Sequence, residues 1–211
     1  MMKFVLATQN ENKRKEMTAI LSELGVTVVS EAELGVKIEV EETGETFYDN
    51  SLLKAKAVME ATGLPAIADD SGLCVDAMNG GPGVYSARFG GEGLDDRGRY
   101  MLLLQMMQGQ SDRAAHFHCT VTCVFPNGDV LSADGDCPGT IAYAPMGDDG
   151  FGYNPVFFVP EKRKTFAQLS REERSGISHR GKALRAFKET LQQYLTDRAS
   201  EGNGETNGTD K

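Results

Sequence analysis

The chain has 211 residues, of which 22 are basic and 31 acidic, so its formal net charge is -9. This length can build one sizeable core, or one domain with a smaller lobe. The acidic balance argues against nucleic acid polymers and anionic membranes as partners, so an anionic ligand would need a local basic pocket. No apolar stretch approaches the roughly 20 residues of a membrane-spanning helix, and residues 1–6 do not continue into a signal peptide.

A cytoplasmic location is therefore predicted. The four cysteines, at positions 74, 119, 123 and 137, agree with it. They lie in apolar or strand-like surroundings, which favours reduced, buried thiols over a secreted disulfide framework.

The first third of the chain predicts a strand, a helix and a second strand. Residues 3–8 and 26–30 have the composition of strands, and Gly25 is placed to end the helix between them. The helix is indicated by apolar residues at helical spacing, namely Met17, Ile20, Leu21 and Leu24. Strand, helix and strand in this order are the usual opening of an α/β sheet.

The middle of the chain predicts a second helix, followed by a strand over 64–70. Thr46 is placed to cap this helix together with Asp49. The predicted buried side of the helix consists of Phe47, Leu53, Ala57, Val58 and Ala61. Asn50 and Lys54 are four residues apart, so they share a face of their own.

The next part predicts a helix over 95–107, with Met101 and Leu104 turned inward. Strands over 114–125 and 130–136 follow, and Pro126-Asn127-Gly128-Asp129 predicts a hairpin turn between them.

A short strand over 155–159 and a last helix complete the predicted elements. The helix would bury Leu184, Phe187, Leu191, Tyr194 and Leu195. Residues 1–199 are predicted to form a single domain. Residues 200–211 have nothing to bury, so they are predicted to be a disordered tail.

Two neighbouring acids follow the apolar run of the third strand, in the segment Asp69-Asp70-Ser71-Gly72. Successive strand residues point to opposite faces, so only one acid should face a ligand unless the strand has already ended. Ser71 has no nearby histidine in sequence and lacks a G-x-S-x-G turn, so a serine nucleophile is not supported. The leading chemistry is metal-assisted hydrolysis, with Asp70 as a base or metal ligand.

A polar loop, Thr8-Gln9-Asn10-Glu11-Asn12-Lys13, separates the first strand from the first helix. Anions bind at such positions because free backbone N–H groups and the helix dipole point there. The loop matches neither a Walker motif nor a dinucleotide fingerprint. Taken alone, it is better interpreted as an N-capping Asn10 followed by a solvated Lys13.

Three charged residues near the second helix are ambiguous. Lys54 would face solvent unless other residues turn its helix face inward. Glu41 and Glu42 could hold a metal ion or form a charged turn.

Two motifs in the last third could bind a planar base or an anion. The loop Phe151-Gly152-Tyr153-Asn154 combines two aromatic rings with a carboxamide, which predicts either base stacking or a packed aromatic corner. His179 and Arg180 begin the last helix, where cations oppose the helix dipole, and Arg174 lies just upstream. Basic residues in this position indicate an anionic or carbonyl-bearing ligand.

Several motifs occur together and in a defined order. They are Thr8-x-Asn10-x-x-Lys13, Glu41-Glu42-Thr43-Gly44, Asn50 to Ala55, Ala68 to Leu73, Pro82 to Arg88, Phe151-Gly152-Tyr153 and Ile177 to Arg180. This set closely resembles the inosine triphosphate pyrophosphatase family, enzymes that remove non-standard purine nucleoside triphosphates. The resemblance runs from residue 3 to about residue 195.

The resemblance implies an α/β fold with a mixed, elongated central sheet flanked by helices, two lobes around an active-site cleft, and a homodimer. It implies Mg²⁺-dependent hydrolysis of ITP, dITP and XTP to the monophosphate and pyrophosphate. It also implies that Asp70 is the proton acceptor and, with Glu41, a metal ligand. The implied substrate-binding residues are Thr8, Gln9, Asn10, Glu11, Asn12, Lys13, Lys54, Ser71, Phe151, Gly152, Tyr153, Asn154, Arg174, His179 and Arg180.

Three residues depart from the family pattern: Asn154 replaces a usual aspartate, Arg174 a usual lysine and Gln9 a usual glycine. The amide of Asn154 both donates and accepts hydrogen bonds, so the preferred base is less constrained than the hydrolysis. Two alternatives stay open, a broad-specificity nucleoside triphosphate pyrophosphatase and a nucleotide-binding regulatory module without turnover. The retained acids and lysines argue against the second.

Overall fold

The framework is a seven-stranded sheet flanked by helices. The computed structural model describes residues 2–204, except the side chains of Asn12 and of residues 201–204. The strands are β1 Lys3–Leu6, β2 Thr27–Ser30, β3 Ala66–Val75, β4 Ala114–Val124, β5 Val130–Ile141, β6 Phe157–Val159 and β7 Lys164–Thr165. The helices are α1 Glu11–Leu21, α2 Phe47–Thr62, α3 Asp96–Met106, α4 Arg171–Ile177 and α5 His179–Gly204.

The sheet is mixed, with the strand order β2-β1-β3-β4-β5-β6-β7. Strand β1 pairs in parallel with β2 and β3, and from β3 onward every neighbouring pair is antiparallel. This confirms the predicted mixed α/β sheet and its antiparallel middle. Within the described part of the chain, no helix combines the length and apolar character needed to cross a bilayer.

The long strand β3 connects separate hydrophobic cores. Its first residues, Ala66 to Ala68, pack on both faces of the sheet in the cores that contain β1. Its last apolar residues, Leu73 and Val75, belong to another core, which includes Leu103 of α3. Between them lies Asp69-Asp70-Ser71-Gly72, which we call the polar junction. The cores at the two ends of β3 are therefore separated by the part of the strand that is polar.

The polar junction is a continuous part of the strand rather than its end. The predicted strand stopped at residue 70, but all residues of β3 pair with β4, from Ala66 opposite Val124 to Val75 opposite Ala115. Gly72 serves close packing, because a Cβ there would lie 2.3 Å from the carbonyl oxygen of Gly83.

The face of α2 that packs on the sheet is more polar than predicted. Leu53 and Ala61 are exposed, which corrects the predicted buried side. The buried residues are Asn50, Ser51, Ala55 and Val58. The reason is that polar strand residues lie beneath them: the Ser51 hydroxyl is 2.6 Å from the Thr122 hydroxyl.

Two predictions for later helices also need correction. In α3, Met101 is 45% exposed and Leu103 is buried in its place. Helix α5 buries Leu184, Phe187 and Leu191 as predicted, but it runs to Gly204. It therefore includes residues 200–204 of the predicted disordered tail, because helical hydrogen bonding is local and needs no burial. Residues 205–211 lie outside the described residues.

Candidate active site

Residues of the polar junction line two separate cavities. The first, of about 460 Å³, is lined by Thr8, Gln9, Asn10, Lys13, Glu42, Lys54 and Asp69 among others, and we call it the loop cavity. The second, of about 80 Å³, is lined by Ser71, Phe151 to Asn154, Arg174, His179 and Arg180 among others, and we call it the aromatic cavity. Asp70 lies on β3 between the two residues, Asp69 and Ser71, that line one cavity each.

The polar loop before α1 forms one wall of the loop cavity. The backbone N–H of Lys13 donates to Asn10 Oδ1 at 3.2 Å, so Asn10 caps the helix as expected. Lys13 is not solvated, because its Nζ lies 3.0 Å from Asp69 Oδ2. Glu11 pairs with Arg14 on the helix surface at 2.7 Å.

Asp69 is a buried carboxylate whose Oδ2 is paired with two cations on the face of β3 toward α1 and α5. Its Oδ2 also accepts a hydrogen bond from Arg180 Nε at 3.1 Å. Burial opposes ionisation, but Lys13 and Arg180 outweigh it and hold the pKa of this carboxyl well below its usual range. Its Oδ1 is buried and has no hydrogen-bond partner within the described residues.

Asp70 points to the opposite face, toward α2, as strand alternation predicts. Lys54 Nζ lies 3.0 Å from its Oδ1, and Asn50 Nδ2 donates to its Oδ2 at 3.3 Å. Burial raises the pKa of this carboxyl above its ordinary value, even though Lys54 acts in the other direction. A carboxylate with a raised pKa accepts a proton more readily than its neighbour does.

Lys54 faces inward and is shared between two carboxylates. Its Nζ lies 2.6 Å from Glu42 Oε1 as well as 3.0 Å from Asp70. Arg88 contacts the same glutamate at 3.4 Å. Glu41, the glutamate predicted as a metal ligand, is exposed at this turn, so Glu42 is the one that reaches the site. The alternation of side chains along an extended segment explains this exchange.

His179 and Arg180 meet the aromatic cavity in different ways. The ring of His179 is buried and stacks on Phe117, with ring centroids 4.7 Å apart, and its Nδ1 has no hydrogen-bond partner among the described residues. Burial and the neighbouring Arg180 hold the pKa of His179 well below its ordinary value, so the ring is neutral. Arg180 donates to Asp69, to Glu16 at 3.2 Å and to Ser71 at 3.0 Å.

In the loop over the aromatic cavity, one of the two aromatic rings is packed and the other is exposed. Tyr153 is a packed residue, 5% exposed, whose hydroxyl donates to the Ser86 carbonyl at 2.8 Å. Phe151 remains 44% exposed. The backbone N–H of Gly152 donates to Asp96 at 2.7 Å, and Asn154 is buried beside the cavity.

Three residues of the site had no predicted role: Glu16, Phe117 and Asp149. Glu16 follows Lys13 by three residues, so helix periodicity could have placed both on one face. Glu42 was predicted only together with Glu41, as part of a metal site or of a charged turn. The contacts of Phe117 with His179 and of Asp149 with Arg174 join distant segments and have no local sequence signal.

The donor set suits a hard divalent cation held jointly with phosphates. Asp70 and Glu42 are two carboxylates that both contact the Lys54 ammonium, so one cation is already held between them. No group of three His, Cys, Asp or Glu side chains in the described chain could hold a metal ion alone. Magnesium commonly binds through one or two carboxylates together with substrate phosphates. The residues present therefore fit Mg²⁺ better than a metal that needs a complete protein cage.

Comparison with known proteins finds similar proteins that share one name. The dITP/XTP pyrophosphatase of Desulforamulus reducens is 50% identical over 192 residues, covering 90% of this chain and 96% of that protein. The dITP/XTP pyrophosphatase of Escherichia coli strain K12 is 47% identical over 195 residues, covering 90% and 98%. Both names agree with the resemblance found in the sequence.

Solved structures of Ham1 proteins have the same fold as this chain. A HAM1 protein from Coxiella burnetii superposes with a TM-score of 0.85 at 41% identity, covering 93% of this chain and 100% of that one. The Staphylococcus aureus Ham1 protein gives 0.83 at 39% identity, covering 93% and 99%. The sequence profile of the Ham1 family matches residues 4–190. This chain belongs to the Ham1 family.

Proposed function

We propose that this protein hydrolyses non-standard purine nucleoside triphosphates, such as dITP, ITP and XTP, to the monophosphate and pyrophosphate. The observation that carries the proposal is the polar junction: Asp69 lines the cation-rich loop cavity, Ser71 lines the aromatic cavity, and Asp70 stands between them in the strand. A nucleotide likewise has anionic phosphates at one end and a planar aromatic base at the other. The names of the curated relatives support this substrate class.

The loop cavity is proposed to hold the triphosphate. Lys13 and Lys54 supply positive charge there, and the first backbone N–H groups of α1 add donors for phosphate oxygens. These cations are paired with Asp69, Asp70 and Glu42. Substrate phosphates would therefore share these ammonium groups with the carboxylates that already contact them.

Asp70 is proposed to accept the proton of the attacking water at the α-phosphate, since it contacts Lys54 of the loop cavity and its pKa is raised by burial. Bound Mg²⁺, held by Asp70 and Glu42, would neutralise phosphate oxygens and lower the pKa of the attacking water. Lys54 keeps Asp70 oriented through its 3.0 Å contact. The bond cleaved is the one between the α- and β-phosphates.

The aromatic cavity is proposed to read the base. A neutral His179, whose Nδ1 lacks a partner within the described chain, is suited to hydrogen bond with a 6-keto purine. An unpaired buried polar group costs about 1–3 kcal/mol, which corresponds to roughly tenfold to hundredfold discrimination against a mismatched base. Arg180 is proposed to act mainly on Ser71 and Asp69, because its donors are directed to them.

We further propose that residues 1–199 act as one unit, in the cytoplasm and as a homodimer. The four cysteines are free and buried, which suits a reducing compartment. Tyr143 and Met146 are exposed and line the same largely apolar groove beside Ala142 and Phe158, which favours a partner surface. Light scattering of the purified protein tests the dimer, and a monomer at micromolar concentration would contradict it.

The function is tested by incubating the purified protein with ITP, XTP, dATP and GTP, with Mg²⁺ or with EDTA, and identifying the products. We expect pyrophosphate release from ITP and XTP in Mg²⁺ only. Orthophosphate as the product would contradict the bond assignment. Equal turnover of all four nucleotides would favour a broad-specificity enzyme, and binding without turnover would favour a regulatory module.

A further inference from the structure

Arg174 is paired with a carboxylate from the loop above the aromatic cavity. Its Nη2 donates to Asp149 Oδ2 at 3.0 Å, and its Nη1 donates to the carbonyl oxygen of Phe166 at 2.9 Å. The Arg174 side chain is 18% exposed and that of Asp149 is 64% exposed. Since Arg174 lines the aromatic cavity, the ion pair lies at the rim of that cavity.

The neighbouring polar side chain, Asn154, supplies no charge for this guanidinium. A Cβ added to Gly150 would lie 2.1 Å from Asn154 Nδ2 and 3.3 Å from Arg174 Nη1, so the amide and the guanidinium approach the same point of the loop. An amide beside a cation provides at most a dipole. The negative charge that complements Arg174 therefore comes from Asp149.

The loop is built to bring Asp149 to this place. Its stem is closed by the Met146 N–H, which donates to the Pro155 carbonyl oxygen at 2.9 Å. Gly147 and Gly150 flank Asp149 with φ values of 81° and 94°, a region that other residues avoid. These turns fold the tip of the loop back over Arg174.

We propose that Asp149 is a positioning residue, which orients the guanidinium of Arg174 toward the base of the substrate. This inference rests on the proposed function. A guanidinium carries five N–H donors, so its contacts with Asp149 and Phe166 fix its plane without exhausting its donors. Asp149 thereby influences base binding without itself touching the reacting phosphates.

The direct test is Asp149→Asn, compared with Asp148→Asn as a matched control. Asp148 is exposed in the same loop. Both variants replace an aspartate by an asparagine, so they change the net charge equally. We expect Asp149→Asn to raise KM for ITP about two- to fivefold with kcat within twofold, the range of an exposed ion pair. Asp148→Asn should leave both constants unchanged. Equal KM values for the two variants would overturn the proposal.

Two further measurements separate charge from local structure. Asp149→Glu keeps a carboxylate at the position that pairs with Arg174, and we expect it to leave KM within twofold of wild type. The KM difference between wild type and Asp149→Asn should also vanish near 1 M salt, where the screening length is about 3 Å. A KM for Asp149→Glu as high as that of Asp149→Asn would overturn a role based on charge.

The proposed function and this inference can fail separately. Titration of ITP in EDTA measures binding without turnover, and Kd should shift by the same two- to fivefold in Asp149→Asn. If wild type binds ITP two- to fivefold more tightly than Asp149→Asn but releases no pyrophosphate in Mg²⁺, the proposed function fails and the inference stands. If wild type turns over ITP and Kd does not shift, only the inference fails.

Discussion

The two faces of β3 at the polar junction carry neighbouring aspartates in opposite electrostatic states. On one face, Asp69 meets both Lys13 and Arg180, and its pKa is held well below its usual range. On the other face, Asp70 meets Lys54 beside a second carboxylate, and burial raises its pKa. Identical residues one position apart thus have pKa values shifted in opposite directions, because strand alternation gives them different neighbours. We propose a structural role for Asp69 and a reactive one for Asp70.

The largest expected effect is on the Asp70 face. Asp70→Asn removes the proposed proton acceptor, so kcat for ITP should fall by about 10²- to 10⁴-fold while ITP binding persists. Steady-state kinetics and an ITP binding titration measure the two quantities. Asp76→Asn, which changes an exposed acid just beyond the same strand, is the control. A kcat within tenfold of wild type would assign the reaction to another group.

The Asp69 face should respond in stability. Asp69→Asn leaves Lys13 and the buried Arg180 without their shared counter-charge, which should lower the free energy of unfolding by roughly 3 kcal/mol. Thermal unfolding in EDTA measures this loss. The folded-state pKa of Asp69 is below its unfolded value, so its stabilisation is present above about pH 4 and fades as the pH falls further. A difference from wild type that grows on acidification would contradict the assignment.

The features of the site that depend on neighbouring residues in the chain were predictable from the sequence. Alternation along β3 was enough to separate Asp69 from Asp70, and the capping role of Asn10 follows from its position before α1. The inward direction of Lys54 was not predictable, because it depends on polar strand residues that make α2 bury its polar face. The contacts of Arg180 with Asp69 and Ser71 span more than a hundred residues, so no local pattern encodes them.

The metal-binding side of the Asp70 face distinguishes the two adjacent glutamates. Glu42→Gln should raise the Mg²⁺ concentration for half-maximal activity roughly tenfold, since it removes a carboxylate beside Asp70 and Lys54. Glu41→Gln is the matched control and should change that concentration less than about twofold, because Glu41 is exposed. The opposite pattern would restore Glu41 as the metal ligand that the sequence first indicated.

The smallest expected effect concerns His179, which begins α5 next to Arg180. Its folded-state pKa is well below the unfolded value near 6.5, so the unfolded chain binds more protons below that pH. The free energy of unfolding should therefore fall on acidification below about pH 6.5, by up to roughly 1.4 kcal/mol per pH unit from this group. Urea titrations at several pH values measure the slope.

His179→Gln should flatten this slope, whereas His116→Gln, at a half-buried position on β4, should not. Equal slopes in all three proteins would show that His179 is not the neutral, buried group described above.

We propose that water attacks the α-phosphorus at the polar junction, next to Asp70. A single turnover of ITP with Mg²⁺ in ¹⁸O-labelled water tests this directly by mass spectrometry of both products. We predict that the label enters the monophosphate and not the pyrophosphate. Label in the pyrophosphate would place the attack on the β-phosphorus and contradict the account.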